Sequence, residues 1–191
     1  MHWAEKLARE IIEKKPDKEE YVCAAGISPS GSVHIGNFRD IATSYYVVRA
    51  LEKLGKKARL LFSWDEFDRL RKVPSNIAAI SEGFDKYLGM PYAEIPDPHG
   101  VYSSYAEYNE KEFEKSLEEL DIHPDYRYQA KQYTANKYAD GIVFALKNRK
   151  RIYDVLLKYK TQDENAEERE KYAPVNIYCS ACNKDVTEVI S

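Results

Sequence analysis

The amino-acid sequence predicts an α/β fold built on a parallel sheet, and two observations carry that expectation. Two short apolar runs without helical period, 21–27 and 58–63, flank a long amphipathic stretch, so strand, helix and strand follow one another within about 45 residues, the size of a βαβ unit. Between the first run and the helix stands "PSGSVHIGN" (29–37), a glycine-containing turn with one histidine. A capped helix needs only a Ser, Thr, Asp or Asn at its mouth, so this turn carries more than folding requires.

The elements follow in order. Residues 2–15 place Trp3, Leu7, Ile11 and Ile12 at helical spacing, and Pro16 closes the segment because proline disfavours helical geometry in the residue before it. "YVCAAGI" (21–27) reads as a buried strand. From Asn37 to Leu54, the residues Phe38, Ile41, Tyr45, Val48 and Leu51 or Glu52 keep one face largely apolar, and Gly55 supplies a left-handed stop. "ARLLFS" (58–63) is the second strand. Ser75 is expected to cap a further helix with Ile77, Ile80, Phe84 and Leu88 inward and Gly89 after it, and the proline-rich "MPYAEIPDPHG" then marks a change of composition. Residues 103–120 and 135–160 read as two helices joined by "DIHPDYRYQAKQYT", the second with Ile142, Val143, Leu146, Ile152, Val155, Leu156 and Tyr159 at its apolar positions. "TQDENAEEREKY" (161–172) reads as a solvated helix or linker.

Composition bounds the function classes. With 191 residues, 43% hydrophobic and 32% charged, the chain suits a soluble globular protein. No apolar run approaches the roughly 18 residues of a membrane helix, so no membrane partner is expected and the cytoplasm is the default compartment. A net charge of −3 excludes a generic basic coat for nucleic acid, so RNA contact would need a local patch. "KNRKR" (147–151) is the strongest such cluster, although most basic runs are simply solvated faces. Of three cysteines, Cys179 and Cys182 form "CSAC", a spacing that lets two thiolates grip one tetrahedral metal, while Cys23 reads as a small core residue. Sixteen tyrosines against six phenylalanines suggest many half-buried positions.

A strand leading through a glycine turn into a helix is an anion site, because unpaired N–H groups and the helix dipole both face the turn. The plainer alternative is that Gly31 and Gly36 only permit a tight turn and His34 only caps the helix. Gly26 and Ser28 lie where the first strand ends, at the carboxyl edge where open α/β sheets bind ligands. "WDEFD" puts Asp65, Glu66 and Asp68 at the same edge after the second strand, a setting for an ammonium group or ribose hydroxyls, or else a plain acidic loop. Arg69, Arg71 and Lys72 follow and can neutralise those acids or meet phosphate.

"HIGN" resembles the HIGH signature of class I aminoacyl-tRNA synthetases. The longer string "GISPSGSVHIGNFRD", followed by "FSWDEFDRLRKVP", resembles more specifically the class I lysyl-tRNA synthetases of archaea and some bacteria. The resemblance implies a Rossmann-like parallel sheet forming the N-terminal half of the catalytic domain over 1–95, a helical connective insertion over 96–173 and the start of a zinc-knuckle element over 174–191. It implies ATP, with Mg2+, held by Ser30, Gly31, His34, Gly36 and Asn37, with His34 and Asn37 as the catalytic donors. Gly26, Ser28, Asp65 and Asp68 would line the pocket for L-lysine, and Zn2+ would bind through Cys179 and Cys182 with its other ligands outside these residues. The implied reaction is activation of lysine to lysyl-adenylate and transfer to tRNA(Lys). Asn37 replaces the second histidine of the general signature; an amide donates to phosphate but cannot become cationic, so it aligns rather than protonates. The family's Lys-Met-Ser-Lys-Ser loop and anticodon-binding domain do not occur in this sequence, so it is expected to be an N-terminal part with little activity alone. The alternatives are another HIGH-type class I synthetase or nucleotidyltransferase, or a non-catalytic RNA- or partner-binding module with a vestigial ATP pocket.

Overall fold

A computed structural model describes residues 1–159 and 166–187. Its centre is a three-stranded parallel sheet in the order β1-β2-β3, formed by Tyr21–Ile27, Ala58–Trp64 and Asp125–Tyr128. The β1–β2 register runs from Tyr21 opposite Ala58 to Ile27 opposite Trp64, and Leu61 to Trp64 of β2 face Asp125 to Tyr128 of β3. Parallel neighbours need a crossover, and α2 (Ile35–Lys53) supplies it. Gly55 follows α2 with φ +74°, the left-handed stop expected there.

The core forms on one face of β2. Leu60, Phe62 and Trp64 alternate into it, as the period of two in a strand requires. There they meet Ile41 and Val48 from α2 and Phe113 and Leu117 from α4 (Tyr105–Glu119). Phe62 packs edge-on against Trp64 at 5.0 Å between ring centroids, the arrangement that ring quadrupoles favour. Ser104 starts α4 by accepting the Glu107 N–H at 3.1 Å, while the Glu107 carboxylate accepts the Ser103 N–H at 3.0 Å. A second cluster joins Leu70, Ile77, Phe84, Tyr92, Ile95 and Tyr105.

The first helix, α1 (Trp3–Lys14), buries Ala4 and Ala8 against Val47, Ala50 and Leu51 of α2. Trp3 and Leu7, expected on its apolar face, are exposed, because two small residues let the helices approach more closely than the large ones would.

Three sequence expectations need correction. The helix expected from Ser75 to Leu88 is a single turn, α3 (Ser75–Ala78), preceded by Pro74; Gly83 then turns left-handed at φ +72°, a 3-10 turn follows at Phe84–Tyr87, and Ile80 and Leu88 are exposed. The helix expected over 135–160 is two, α6 (Ala139–Lys147) and α7 (Arg149–Leu157). Asn148 divides them by turning its side-chain amide back to the Phe144 carbonyl at 2.9 Å, the local competition that makes asparagine a poor helix-interior residue. The connector "DIHPDYRYQAKQYT", expected only to join two helices, holds β3 and α5 (Gln129–Thr134), and β3 extends the sheet beside β2.

Part of the polar stretch 161–172 lies outside the described residues; its end forms α8 (Ala166–Lys171). The segment around Cys179 folds back onto the loop after β2. Tyr178 donates its hydroxyl to the Phe67 carbonyl at 2.6 Å, the Asp185 N–H donates to the Gly89 carbonyl at 2.9 Å, and Asp185 pairs with Arg69. Among the described residues no helix is long and apolar enough to cross a membrane.

Candidate functional site

The helix entrance is built by His34. It is the N-cap of α2 in extended conformation, and its Nδ1 accepts the Gly36 N–H at 3.0 Å. A Cβ at Gly36 would stand 2.8 Å from the imidazole Cε1, so glycine there is what lets the ring fold over the helix start. The capping role and a ligand role are compatible, since a neutral ring accepting at Nδ1 carries its proton on Nε2 and presents a donor there. The Asn37 N–H is used by the His34 carbonyl at 2.9 Å, and the Asn37 side-chain amide has no hydrogen-bond partner among the described residues. Gly31 has ordinary room for a side chain, with Pro74 and Tyr105 atoms 3.8 Å from a built Cβ. The Ser30 carbonyl accepts from the Tyr105 hydroxyl at 2.9 Å, which ties the turn to α4.

Gly26 has a packing reason of its own. A Cβ there would meet the Ser63 carbonyl oxygen at 2.9 Å, and its N–H donates to Asp40 at 3.2 Å. Ser28 reaches across the sheet edge and donates to Asp68 at 2.7 Å, so the ends of β1 and β2 are joined at the site.

Asp65 and Asp68 open onto a cavity of about 1030 Å³. Its aromatic lining comes from three separate segments, Phe67 beside the acids, Tyr133 and Tyr138 from and after α5, and Tyr178, while Lys137 and aliphatic side chains such as Ile142 and Leu146 line the rest. Tyr133 stacks on Phe67 at 5.1 Å and Tyr178 meets the same ring edge-on at 5.3 Å. Gln129 also lines the cavity: its amide donates to Ser63 Oγ at 2.6 Å and its carbonyl accepts from the Tyr138 hydroxyl at 2.6 Å. Burial raises the Asp65 carboxyl above the usual carboxylate range, the charge of Asp68 adds to this, and a hydrogen bond from Ser63 opposes it. Two acids repelling each other at a cavity that also carries aromatic rings have the chemistry to take a cation, whose charge would relieve the repulsion.

A buried acid group lies behind this edge. Glu114 accepts from Trp64 Nε1 at 3.0 Å, from the Tyr128 hydroxyl at 2.8 Å and from Lys111 at 2.7 Å. Glu110 is buried with one carboxyl oxygen unpartnered, and burial together with Glu66 and Glu114 pushes its pKa up to about 8.

The structure therefore brings together Ser28, Asp65 and Asp68, while His34, Asn37, Gly31 and Ser30 form a separate turn that does not line the cavity. Cys179 and Cys182 sit on a tight turn closed by Asn183 N–H to the Cys179 carbonyl at 2.7 Å and Cys179 N–H to the Lys184 carbonyl at 2.9 Å. The N–H groups of Cys182 and Ala181 hold the Cys179 thiol below its usual value, which suits a metal-binding thiolate. Among the described residues no cluster of three or more His, Cys, Asp or Glu side chains is placed to hold a metal, so these two thiols are at most half a tetrahedral set. Of the basic run, Arg149 donates to the Tyr172 carbonyl at 3.0 Å and Lys150 pairs with Glu170 at 2.7 Å, so both tie α7 to the α8 region; Lys147 and Arg151 have no ion pair among the described residues. Sequence reasoning missed Phe67, Gln129, Tyr133, Tyr138 and Tyr178; the tyrosine excess was the one available signal.

A parallel α/β sheet with a histidine-capped helix entrance and an acid pair at its carboxyl edge has the architecture of nucleotide-handling enzymes. The chain belongs to the family described as tRNA synthetases class I (K), whose model matches residues 1–191. It is 46% identical over 189 residues to a lysine–tRNA ligase of Treponema pallidum, with 99% of this chain and 35% of the relative covered. It is 42% identical over 188 residues to one of Borreliella burgdorferi (98% and 35% covered) and 40% identical over 179 residues to one of Pyrococcus horikoshii (94% and 34% covered). The chain thus spans about a third of the length of these relatives.

Proposed function

We propose that these residues form the lysine- and ATP-binding part of a cytoplasmic lysine–tRNA ligase. The family and the relatives' names support the reaction class. The observation that carries the substrate is the Asp65–Asp68 pair in its aromatic cavity: an ammonium group meets the acids and an aliphatic stem lies along Phe67, Tyr133, Tyr138 and Tyr178. Gly26 and Ser28 shape that edge, Ser28 by holding Asp68 in place.

In this reading ATP, carrying Mg2+, lies against the turn of Ser30, Gly31 and Gly36, with His34 Nε2–H and the Asn37 amide donating to phosphate oxygens. The lysine carboxylate attacks the α-phosphorus, the bond to pyrophosphate breaks, and the two donors stabilise charge developing on the phosphates. The terminal ribose hydroxyl of tRNA(Lys) then attacks the acyl carbon and AMP leaves. Lys147 and Arg151 are the cations of 147–151 best placed to meet tRNA phosphate. Cys179 and Cys182 fit two ligands of a structural Zn2+, which would brace the segment carrying Tyr178. The helical insertion is read as following β3, and the zinc element as starting near residue 174.

The test is lysine-dependent pyrophosphate exchange by the polypeptide of the complete reading frame containing residues 1–191. His34→Ala is expected to slow exchange by on the order of a hundredfold, the scale of one lost electrostatic donor. Unaltered exchange would overturn the assignment of the turn.

A further inference from the structure

Glu66 lies between the two acids read as binding lysine, yet it does not line their cavity. It is 4% exposed, and no cation pairs with it among the described residues. Its two carboxyl oxygens accept one backbone N–H each, Gln129 at 2.9 Å and Ala130 at 2.9 Å. Those are the opening groups of α5, which has no cap from its own neighbouring side chain. A carboxylate there satisfies two orphan donors and meets the positive end of the helix, which offsets the cost of burying it. On the other side, the Glu66 carbonyl accepts the Ala93 N–H at 2.9 Å and the Asp68 carbonyl accepts the Tyr92 N–H at 2.9 Å, so the loop bearing the acids is itself strapped down.

We propose that Glu66 is a positioning residue that sets the width of the amino-acid cavity, and through it the length of aliphatic ammonium substrate accepted; this rests on the reading of that cavity as the lysine site. The clamp acts through Gln129, whose backbone Glu66 holds and whose side chain bridges Ser63, hydrogen-bonded to Asp65, to Tyr138 of the aromatic lining. The acids and the α5 part of the aromatic lining come from segments more than sixty residues apart, and the Glu66 carboxylate joins them with two hydrogen bonds. Glu66→Gln keeps the size but offers only one acceptor and sets an NH2 against a backbone N–H, so α5 should drift from the acids.

The experiment uses the polypeptide of the complete reading frame, as wild type and Glu66→Gln, with amide hydrogen exchange over 129–138 and binding of lysine, ornithine and ATP. The expected result is faster exchange in 129–138, lysine affinity weakened about tenfold, ATP affinity within about twofold of wild type, and a lysine-over-ornithine preference reduced about tenfold, the scale of one methylene in a pocket. Unchanged exchange over 129–138 overturns the clamp. Faster exchange with lysine and ATP weakened alike, or with the lysine-over-ornithine preference intact, overturns the positioning role and leaves a purely structural one. A wild-type protein that binds ATP but not lysine overturns the reading of the cavity and the positioning role with it, an outcome separable from the others because it appears before any substitution. Should Glu66→Gln fail to fold, Tyr138→Phe keeps the ring and removes only the hydroxyl that holds the far end of Gln129: weaker lysine with unchanged ATP supports the clamp, and unchanged lysine overturns it.

Discussion

The sheet region up to Tyr128 and the helical region after it are built from similarly apolar sequences, yet they bury them very differently. All three core clusters draw their buried residues from positions 4–122, whereas after Tyr128 only Tyr153 is fully buried among the described residues. Phe144 is 68% exposed and Tyr159 86%, with Val143, Val155 and Leu156 also open. Helical periodicity marks a face that wants cover, but only a neighbouring layer provides it. The sheet is such a layer for α2 and α4; α6 and α7 have none of comparable extent. The cavity lies where the two regions meet, with its acids on the rigid side and most of its aromatic wall on the less supported side, so binding would order the second against the first.

The comparison is sharpest in hydrogen exchange. Amides of β2 are expected to exchange at least ~1,000-fold more slowly than those of α6 and α7, since local opening free energy follows buried contact. Equal protection would mean that the helical region is covered in a way its surface does not show. Truncation asks the same question of side chains. Phe62→Ala, which removes a ring packed on Trp64 and Phe113, should cost about 3–5 kcal/mol in denaturant unfolding, and Leu156→Ala under ~1 kcal/mol. Similar costs would break the distinction.

A third test concerns the acids behind the sheet edge. The folded Glu110 carboxyl, at about 8, lies above its unfolded value, so its contribution to stability is complete below the unfolded value and is lost as pH rises toward about 8. Glu110→Gln removes the ionisable group and should stabilise the chain by ~1–3 kcal/mol near pH 8, with the gain shrinking toward pH 4. Thermal melts across that range check it; a pH-independent difference would remove ionisation from the explanation. The smallest effect belongs to the site. Asp65 is raised by burial and by Asp68, so Asp65→Asn should stabilise the ligand-free protein slightly, by ~0.5–1 kcal/mol at pH 7, while raising the KM for lysine more than that for ATP. Loss of stability together with unchanged lysine KM would show that the carboxylate serves the fold.

Much of the sheet region was legible beforehand for local reasons. The two strands, the crossover helix and its Gly55 stop declare themselves through apolar runs, periodicity and a left-handed terminator, all set within a few residues of one another. The capping role of His34 was legible too, because a cap is a bond between residues two apart. The breaks at Gly83 and Asn148 were not legible for the opposite reason: each interrupts a periodic stretch whose apolar spacing continues through it.

By itself, then, the amino-acid sequence determined the βαβ unit, the histidine-capped entrance and the presence of acids after β2. Only the tertiary structure decided that β3 joins the sheet, that Asp65 and Asp68 face a cavity while Glu66 turns away to hold α5, and that Phe67, Gln129, Tyr133, Tyr138 and Tyr178 meet along that cavity. The pairs responsible lie far apart in the chain, Ser28 with Asp68 at 40 residues, Glu66 with Gln129 at 63 and Tyr178 with Phe67 at 111. Periodicity and capping report the geometry of one turn or one strand. Which distant groups meet depends on how whole elements pack, and that is settled by the burial of the sheet's apolar face, not by any signal at the residues that end up in contact.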